Sequence, residues 1–446
     1  MSEPEKTEEV FGIRAKLVRS YVERANVDQR FVEALRSDHH VVVYGSSKQG
    51  KTSLRQKHLR ESECVIVRCS PRMTILTLYQ SVLRQSGARI QTIETQTLTA
   101  EGGAKVSAGF RAIVPWVGGI DGSAEGSASA SRQQALSTEY VSYNLDDAQS
   151  VAELLIQLRN KKWIVLENYH YLPVSTQKAV AFDLKTFHEV GIRFLILGIW
   201  REANLLITHN GDLQGRIVEI PVEPWELVDF DRVADTGSKL LNIQIRPSVL
   251  ERFKKEAYGN VGLLQEFLKQ FCLDCSVVET QGSVKVLDSN DSVTRTIGTK
   301  LESQRNALLR SLQGIAAKSR VRRNDTEKPL LLPYYLVMVI LGYDVERLQD
   351  GIEKTQLLGL LRQHHYRSDK EAIRAGDVTN LVLKLPSYQV DMNPPILYYD
   401  GNSRRLRIVD STVFFVLANA EKTELADEIP FPESEASSDD ADSGEG

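Results

Sequence analysis

Short apolar runs alternate with amphipathic stretches along the first half of the chain. The apolar runs cover residues 40–44, 64–69, 163–166 and 193–198, and helical periodicity covers 28–36, 53–61, 74–85, 146–159 and 175–189. Strands that are apolar on both faces are typical of a parallel sheet with helices on either side. The pattern therefore predicts an α/β fold built on a parallel sheet.

Residues 91–144 interrupt this rhythm. Apolar residues occupy every second position from Val106 to Trp116, a glycine-rich turn follows at 118–122, and small residues alternate over 124–130. A period of two around such a turn predicts a β-hairpin inserted between core elements. Two interpretations stay open for this insertion: a surface arm without a role, or an arm for interaction or self-assembly through its strand edges.

The second half of the chain is mainly helical. Residues 229–277 are predicted to form a helical lid, whereas helices at 331–341 and 345–362 precede two strands at 396–399 and 405–409 around a turn. Helices followed by such a strand pair resemble a winged helix. The predicted domains are a helical lead-in (1–40), a sheet core (41–228, with the hairpin at about 91–145), the lid (229–300), a winged-helix-like domain (301–420) and a tail (421–446).

Charge is distributed unevenly along the 446 residues. The tail carries ten acidic residues and one basic residue, so the rest of the chain has a net charge near +5. This acidic, apolar-poor tail is predicted to be disordered. Its role is either to improve solubility or to shield a basic surface of the same chain.

Composition adds expectations about location and cysteine chemistry. A charged N-terminus and the lack of an uninterrupted apolar run of roughly 20 residues predict a cytoplasmic protein with no membrane partner. Cys272 and Cys275 have CxxC spacing, but they lie in an apolar helical run without a second ligand pair. Helix packing is therefore favoured over metal binding.

The segment GSSKQGKT at Gly45–Thr52 matches the P-loop pattern, with an apolar strand before it and a helical stretch after it. Glycines let such a loop wrap around phosphates, and its N–H groups and the helix N-terminus attract them. Lys51 is expected to bridge the β- and γ-phosphates of ATP, and the Thr52 hydroxyl to ligate Mg²⁺. The predicted nucleotide-contacting residues are Gly45, Ser46, Ser47, Lys48, Gln49, Gly50, Lys51, Thr52 and Ser53.

A second candidate position follows the apolar strand that ends at Glu167. An acid there is placed to hold Mg²⁺ directly or through water, so Glu167 is predicted as a metal ligand together with Thr52. Asn168 occupies the next position, where ATPases often carry a catalytic acid. Because an amide is not a base, two expectations stay open: hydrolysis is slow, or a neighbour such as His170 helps to orient water.

Two arginines are candidates for contacts with the terminal phosphate. Arg201 follows the strand at 193–198 and is either a γ-phosphate sensor or a surface residue that caps a loop. Arg216 precedes a later strand and is a candidate arginine finger that acts on a neighbouring subunit.

With these residues in place, the chain resembles prokaryotic P-loop ATPases of the AAA+/STAND group, near the initiators of the origin-recognition type. The segments GSSKQGKTSL, IVLENYHYL, LILGIWRE and GRIVEIPVEPW occur in the order of that group. The resemblance implies that Arg24 and its neighbours lie near the adenine. It also implies that the turn at 259–264 opens the last lid helix, although Val261 replaces the usual proline.

Three functions remain open at this point. The resemblance implies an ATP-controlled conformational or assembly switch, with a homo-oligomer or a separate effector as partner and a weak indication of regulation or antiviral defence. A DNA-binding ATPase, similar to an initiator or mobile-element helper, is indicated by Arg404, Arg405 and Arg407 and by the basic run at 318–323. An inactive P-loop scaffold is the third alternative, and the intact Lys51 and Thr52 disfavour it.

Overall fold

A computed structural model of the chain describes residues 3–98, 104–115, 138–142, 145, 147–200, 204–319, 329–390, 392 and 395–432. The chain divides into two compact units. The first, called the sheet unit here, contains Glu23–Gly45 and Lys51–Val222, and the second, the helical unit, contains Met1–Val22, Ser46–Gly50 and Glu223–Gly446. Each unit has hydrophobic clusters of its own.

The chain opens with helix α1 (Thr7–Val10) of the helical unit and then enters the sheet unit. The sheet unit contains a π-helical turn (Ala25–Gln29), α2 (Arg30–Arg36), β1 (His40–Tyr44), α3 (Lys51–His58), β2 (Cys64–Arg68), α4 (Ile75–Gln85), β3 (Arg89–Leu98), β4 (Ala104–Pro115), β5 (Thr138–Ser142), α5 (Ala148–Gln157), β6 (Trp163–Glu167), α6 (Val174–Glu189), β7 (Phe194–Gly198), α7 (Leu205–His209) and β8 (Ile217–Pro221).

A five-stranded parallel sheet in the order β2-β6-β7-β1-β8 forms the centre of this unit. Val42 of β1 belongs to one hydrophobic cluster, whereas Val41 and Val43 belong to another, because successive side chains point to opposite faces of a strand. Both faces are therefore covered, as the apolar strands predicted. The α/β fold with a central parallel sheet is confirmed.

The insertion forms a separate antiparallel sheet. Strand β4 pairs with β3 along Leu98–Arg89 and with β5 along Ser142–Thr138. The alternating strand predicted from Val106 onward is present, and the additional strand β3 was not predicted. The predicted turn at 118–122 and the alternation at 124–130 lie outside the described residues.

The helical unit contains the remaining elements. They are α8 (Leu227–Leu241), β9 (Ile243–Ile245), α9 (Pro247–Glu256), α10 (Val261–Asp274), β10 (Lys285–Leu287), α11 (Asn290–Ala316), α12 (Leu332–Gly342), α13 (Val345–Gln349), β11 (Ile352–Glu353), α14 (Lys354–His364), α15 (Ala375–Tyr388), β12 (Leu397–Asp400), β13 (Arg405–Ile408), α16 (Thr412–Asn419) and α17 (Lys422–Asp427). One hydrophobic cluster runs from α1 through α10 to α16.

The helix expected at 345–362 is divided in two. Gly351 adopts a φ of 79°, and a Cβ there would lie 2.7 Å from the carbonyl oxygen of Leu406. The chain turns at this glycine so that Ile352 and Glu353 can pair with β13 in the small sheet β11-β13-β12. Close approach of a distant strand therefore overrides the helical periodicity.

The predicted disordered tail begins with ordered structure. Helix α17 buries Leu425, and Ile429 after it is 3% exposed. Arg305 of α11 pairs with Glu428 and lies 3.7 Å from Glu424. Two apolar residues and these ion pairs fix this stretch, which corrects the prediction for residues 421–432. Residues 433–446 lie outside the described part of the chain.

Among the described residues, no helix is long and apolar enough to cross a membrane.

Candidate functional site

The segment Gly45–Thr52 consists of the loop at 45–50, which connects β1 to α3, and the first two residues of α3. Positive φ angles occur at Gly45 (151°), Lys48 (62°) and Gly50 (85°). The value at Gly50 lies where side chains are strained, and Gly50 comes directly before helix α3 begins at Lys51. The loop thus turns sharply and ends at a helix N-terminus, whose N–H groups and dipole favour anions.

The residues after the loop differ in exposure. Lys51 is half-buried, and its Nζ donates a hydrogen bond to the Gly45 carbonyl oxygen at 2.9 Å. Thr52 is exposed and Ser53 half-buried in the first turn of α3. The structure therefore places the Lys51 ammonium group against the Gly45 carbonyl, and the neighbouring residue Thr52 is accessible.

The first half of the loop is bonded to Glu223, which follows β8. The carboxylate accepts hydrogen bonds from the Ser46 N–H (2.9 Å), the Ser46 hydroxyl (3.0 Å) and Gln49 Nε2 (2.6 Å). Ser46 and Gln49 are fully buried, which makes these bonds strong constraints on the loop.

The same half of the loop is bonded to the start of helix α10. The Gly262 N–H donates to the Lys48 carbonyl oxygen (3.0 Å), and Asn260 Nδ2 donates to the Ser47 carbonyl oxygen (3.3 Å). Gln49 donates to the Gly259 carbonyl oxygen and accepts from the Val261 N–H at 3.4 Å. Lys48 and Lys300 both face Glu266 of α10. Residues 46–49 of the loop and the turn at 259–262 thus form one hydrogen-bonded assembly within the helical unit.

Glu167 is the last residue of β6, as predicted, and β7 separates β6 from β1. Its carboxylate lies 3.1 Å from Arg55 Nη2 and 3.6 Å from Arg68 Nε. Arg55 is 2% exposed and Glu167 8%. The predicted metal ligand therefore already has two cationic neighbours.

Asn168 and His170 follow Glu167 directly after the end of β6. Asn168 is exposed with a left-handed φ of 58°. His170 Nδ1 accepts a hydrogen bond from the Ile199 N–H at 3.3 Å, so Nε2 carries the proton. Burial, and then the nearby charge of Lys51, lower the His170 pKa to about 4. His170 is therefore neutral at pH 7, and its Nε2–H is buried without a hydrogen-bond partner among the described residues.

The predicted arginines lie in different settings. Arg24 is buried: its N–H donates to Asp28 at 2.8 Å and its Nη1 to the Val222 carbonyl oxygen at 2.9 Å. Arg216 donates to the Asp212 carbonyl oxygen and lies 3.8 Å from Glu189. Arg201 lies outside the described residues. The roles of all three stay predictions.

The donors near the loop suit a nucleotide better than a metal held by Glu167. Lys51, the N-terminus of α3 and the Nε2–H of His170, which has no partner among the described residues, are positive or donor groups that suit an anionic phosphate. Both oxygens of Glu167 face guanidinium groups, an arrangement that does not fit direct coordination of a cation. Thr52 is the remaining predicted oxygen ligand.

Burial governs the chemistry of the cysteines. Burial raises the pKa of Cys64 to about 11, that of Cys69 to about 12 and that of Cys272 further, so the thiols stay protonated at neutral pH. Within the described residues, no group of three or more His, Cys, Asp or Glu side chains is placed to hold a metal ion. Packing is the role that these observations support for Cys272 and Cys275.

Sequence reasoning missed Arg55 and Glu223. Arg55 lies one helical turn after Lys51, a spacing that places both on one face of α3 and was available from the sequence. Glu223 lies 174 positions from its partner Gln49. No local pattern indicates a pairing over such a distance.

No protein-family model and no curated protein matches the chain. Among solved structures, it is similar to a Walker-type ATPase of Pyrococcus abyssi, at 15% identity and a TM-score of 0.46, over 92% of this chain and 99% of that chain. It is also similar to the ORC1 protein of Aeropyrum pernix in complex with DNA, at 12% identity and a TM-score of 0.42, over 97% and 98%. A third similar structure is RuvB of Thermotoga maritima, a Holliday junction branch migration motor. Its identity is 11% and its TM-score 0.38, over 90% of this chain and 96% of that chain.

These similarities are too low in identity and TM-score to carry an argument about activity. The P-loop fold predicted for this chain rests on its own strand order and on the loop between β1 and α3.

Proposed function

We propose that this chain binds ATP at Gly45–Thr52, hydrolyses it slowly and acts as a nucleotide-controlled conformational or assembly switch. The observation that carries the proposal is the double role of the loop. Its sequence is that of a phosphate-binding loop, and its residues Ser46–Gln49 are hydrogen-bonded to Glu223 and to the first turn of α10. Phosphate bound at the loop would act directly on these contacts.

The roles in this proposal follow from the chemistry of each group. Lys51 neutralises the β- and γ-phosphates, and the N-terminus of α3 binds them through N–H groups. Mg²⁺, when bound with ATP, neutralises phosphate charge, and Thr52 is the hydroxyl placed to hold it. Neutral His170 donates from Nε2, and it orients water or phosphate oxygen rather than removing a proton. With Asn168 in place of an acid, turnover is slow.

The regulatory step is a change at the loop. Added negative charge beside Glu223 repels its carboxylate and favours its movement away from the loop, because like charges repel. The hydrogen bonds of Gln49 to Glu223 and to the turn at 259–261 then change together. Helix α10, which continues the turn, is thereby coupled to the nucleotide. In this proposal, the predicted lid (229–300) and the domain after it (301–420) change conformation in response to the nucleotide.

Nucleotide binding is tested with the purified protein and a fluorescent ATP analogue. Lys51→Ala should weaken binding about 10- to 100-fold, the loss expected for a charge-assisted contact of about 1.5–3 kcal/mol. Lys57→Ala is the matched control, since Lys57 lies on the same helix and pairs with Glu23 instead. Equal affinities of wild type and Lys51→Ala would refute the site.

The switch is tested separately by comparing the protein with ADP and with a non-hydrolysable ATP analogue. A difference in oligomeric state or in protection of α10 from hydrogen exchange is expected. Asn168→Glu should raise the hydrolysis rate. If the protein binds both nucleotides but shows the same oligomeric state and the same protection of α10 with each, it is a nucleotide-binding protein and the switch is refuted.

DNA binding is a second candidate, supported by one arrangement in the helical unit. The order α12, α13, β11, α14, α15, β12, β13 with the sheet β11-β13-β12 supports the interpretation of residues 332–408 as a winged helix. Arg404 is exposed in the turn and pairs with no carboxylate among the described residues, whereas Arg405 pairs with Glu353 at 2.7 Å and Arg407 lies 3.8 Å from Asp400. The basic run at 320–323 lies outside the described residues.

A further inference from the structure

The carboxylate of Glu167 and the guanidinium of Arg55 form a buried ion pair. Arg55 Nη2 lies 3.1 Å from Glu167 Oε1, and the two side chains are 2% and 10% exposed. Arg55 belongs to α3, one turn after Lys51, and Glu167 ends β6. The pair therefore joins the helix that follows the loop to the edge of the sheet where a metal ligand was predicted.

A second guanidinium faces the other carboxylate oxygen. Arg68 is the parallel neighbour of Glu167 in β2, and its Nε lies 3.6 Å from Glu167 Oε2. Two positive charges thus accompany one negative charge. A divalent cation at the same carboxylate would be repelled by both and would have to displace Arg55 from a buried position.

The Glu167 carboxylate supplies the counter-charge and a hydrogen-bond acceptor for the buried Arg55 guanidinium. Its Nε and Nη1 atoms are buried and have no hydrogen-bond partner in the part of the chain that the structure describes. A buried guanidinium without a counter-charge is strongly unfavourable. Release of Glu167 to a metal ion would leave Arg55 in that state.

We infer that the cation held by Glu167 is the Arg55 guanidinium and not Mg²⁺, and that Arg55 is a positioning residue which fixes the end of β6 against α3. This inference deepens the proposed ATP site on which it rests. Mg²⁺ then enters with the nucleotide and depends on Thr52, whereas Glu167 contributes no metal ligand while Arg55 is present.

The first test measures the Mg²⁺ concentration that gives half-maximal binding of a fluorescent ATP analogue. Thr52→Ala should raise this concentration by about tenfold, whereas Glu167→Gln should change it less than about twofold. Arg55→Met should lower it, because Glu167 is freed to bind metal, and the double variant Arg55→Met with Glu167→Gln should lose that gain. A rise in Glu167→Gln equal to that in Thr52→Ala would overturn the inference.

The second test needs no nucleotide. Urea unfolding in the presence of a chelator is measured for wild type, Arg55→Met, Glu167→Gln and the double variant. Each single variant should lower the midpoint, and the double variant should lower it by much less than the sum of the two. Additive losses would overturn the pairing. If Arg55→Met does not fold, Arg55→Gln, which removes the charge and keeps a hydrogen-bond donor, takes its place in the cycle.

The two tests separate the inference from the proposed function. Failure of the wild type to bind nucleotide refutes the ATP site, and the urea cycle still decides whether Arg55 and Glu167 act as a pair. If the wild type binds nucleotide in a Mg²⁺-dependent way and Glu167→Gln loses that dependence, the ATP site stands and the inference is refuted.

Discussion

Gln49 Nε2 donates a 2.6 Å hydrogen bond to Glu223 Oε1, and this contact joins the middle of the loop to a residue that follows β8. Ser46 donates two further bonds to the same carboxylate. The loop is therefore held by a residue far away in sequence. Because the bonds involve a charged acceptor, they are stronger than neutral hydrogen bonds.

Replacement of Glu223 by Gln should lower the free energy of unfolding by about 1–2 kcal/mol, since an amide accepts these bonds more weakly than a carboxylate. Urea unfolding measures the loss. Glu302→Gln, at an exposed position of α11, is the control and should have little effect. An unchanged Glu223→Gln protein would show that the carboxylate does not constrain the loop.

Substitution of Gly262 by Ala should destabilise the protein by about 1–3 kcal/mol, the usual cost of overpacking. A Cβ there would lie 2.5 Å from Lys48 Cβ and 2.6 Å from the Lys48 carbonyl oxygen. Gly298→Ala on α11 is the matched control: a Cβ there meets nothing within 4 Å. It should stabilise the helix by up to about 1 kcal/mol. Thermal unfolding measures both variants. A change in stability of the same sign in Gly262→Ala and Gly298→Ala would contradict this packing.

Stability should fall as the pH decreases from about 6.5 towards 4, in part because of His40. Burial lowers its pKa to about 4, and its ring accepts from the Phe194 N–H and donates to the Leu184 carbonyl oxygen. The unfolded chain therefore takes up the proton more readily in this range, and the folded state loses about 2 kcal/mol at pH 5 relative to pH 7.

The check is urea unfolding at both pH values. His40→Gln should reduce the difference by about that amount, whereas His364→Gln, at an exposed position of α14, should leave it in place. An unchanged difference in His40→Gln would show that another group causes it.

If DNA binds to residues 332–408, the three arginines near the turn should not contribute equally. Arg404→Ala should reduce the dependence of log affinity on log salt by about one unit, the effect of one phosphate contact. Arg405→Ala should chiefly destabilise the small sheet, because Arg405 donates to the Gly351 carbonyl oxygen at 2.9 Å and pairs with Glu353. Fluorescence anisotropy at several salt concentrations distinguishes the two effects, and undetectable DNA binding by wild type would exclude this candidate.

Elements with strong local signals were predicted close to their observed bounds. Strand β1 (His40–Tyr44) was predicted residue for residue, and α4 begins at Ile75, one position after its predicted start at Thr74, which caps the helix. Helices α11 and α15 were missed, and Gly351 divides a helix that periodicity alone had joined. The stretch at 422–427 was predicted as disordered because of its charge, yet Leu425 is buried there.

The sequence by itself determined the α/β class, the phosphate-loop pattern at Gly45–Thr52 and the position of Glu167 at a strand end, because each depends on residues within one short segment. Tertiary structure alone decided what these groups contact. Glu167 meets Arg55, 112 positions away, and Gln49 meets Glu223, 174 positions away. Hydrogen bonds and ion pairs act over a few ångströms, so only the folded chain can bring such partners together.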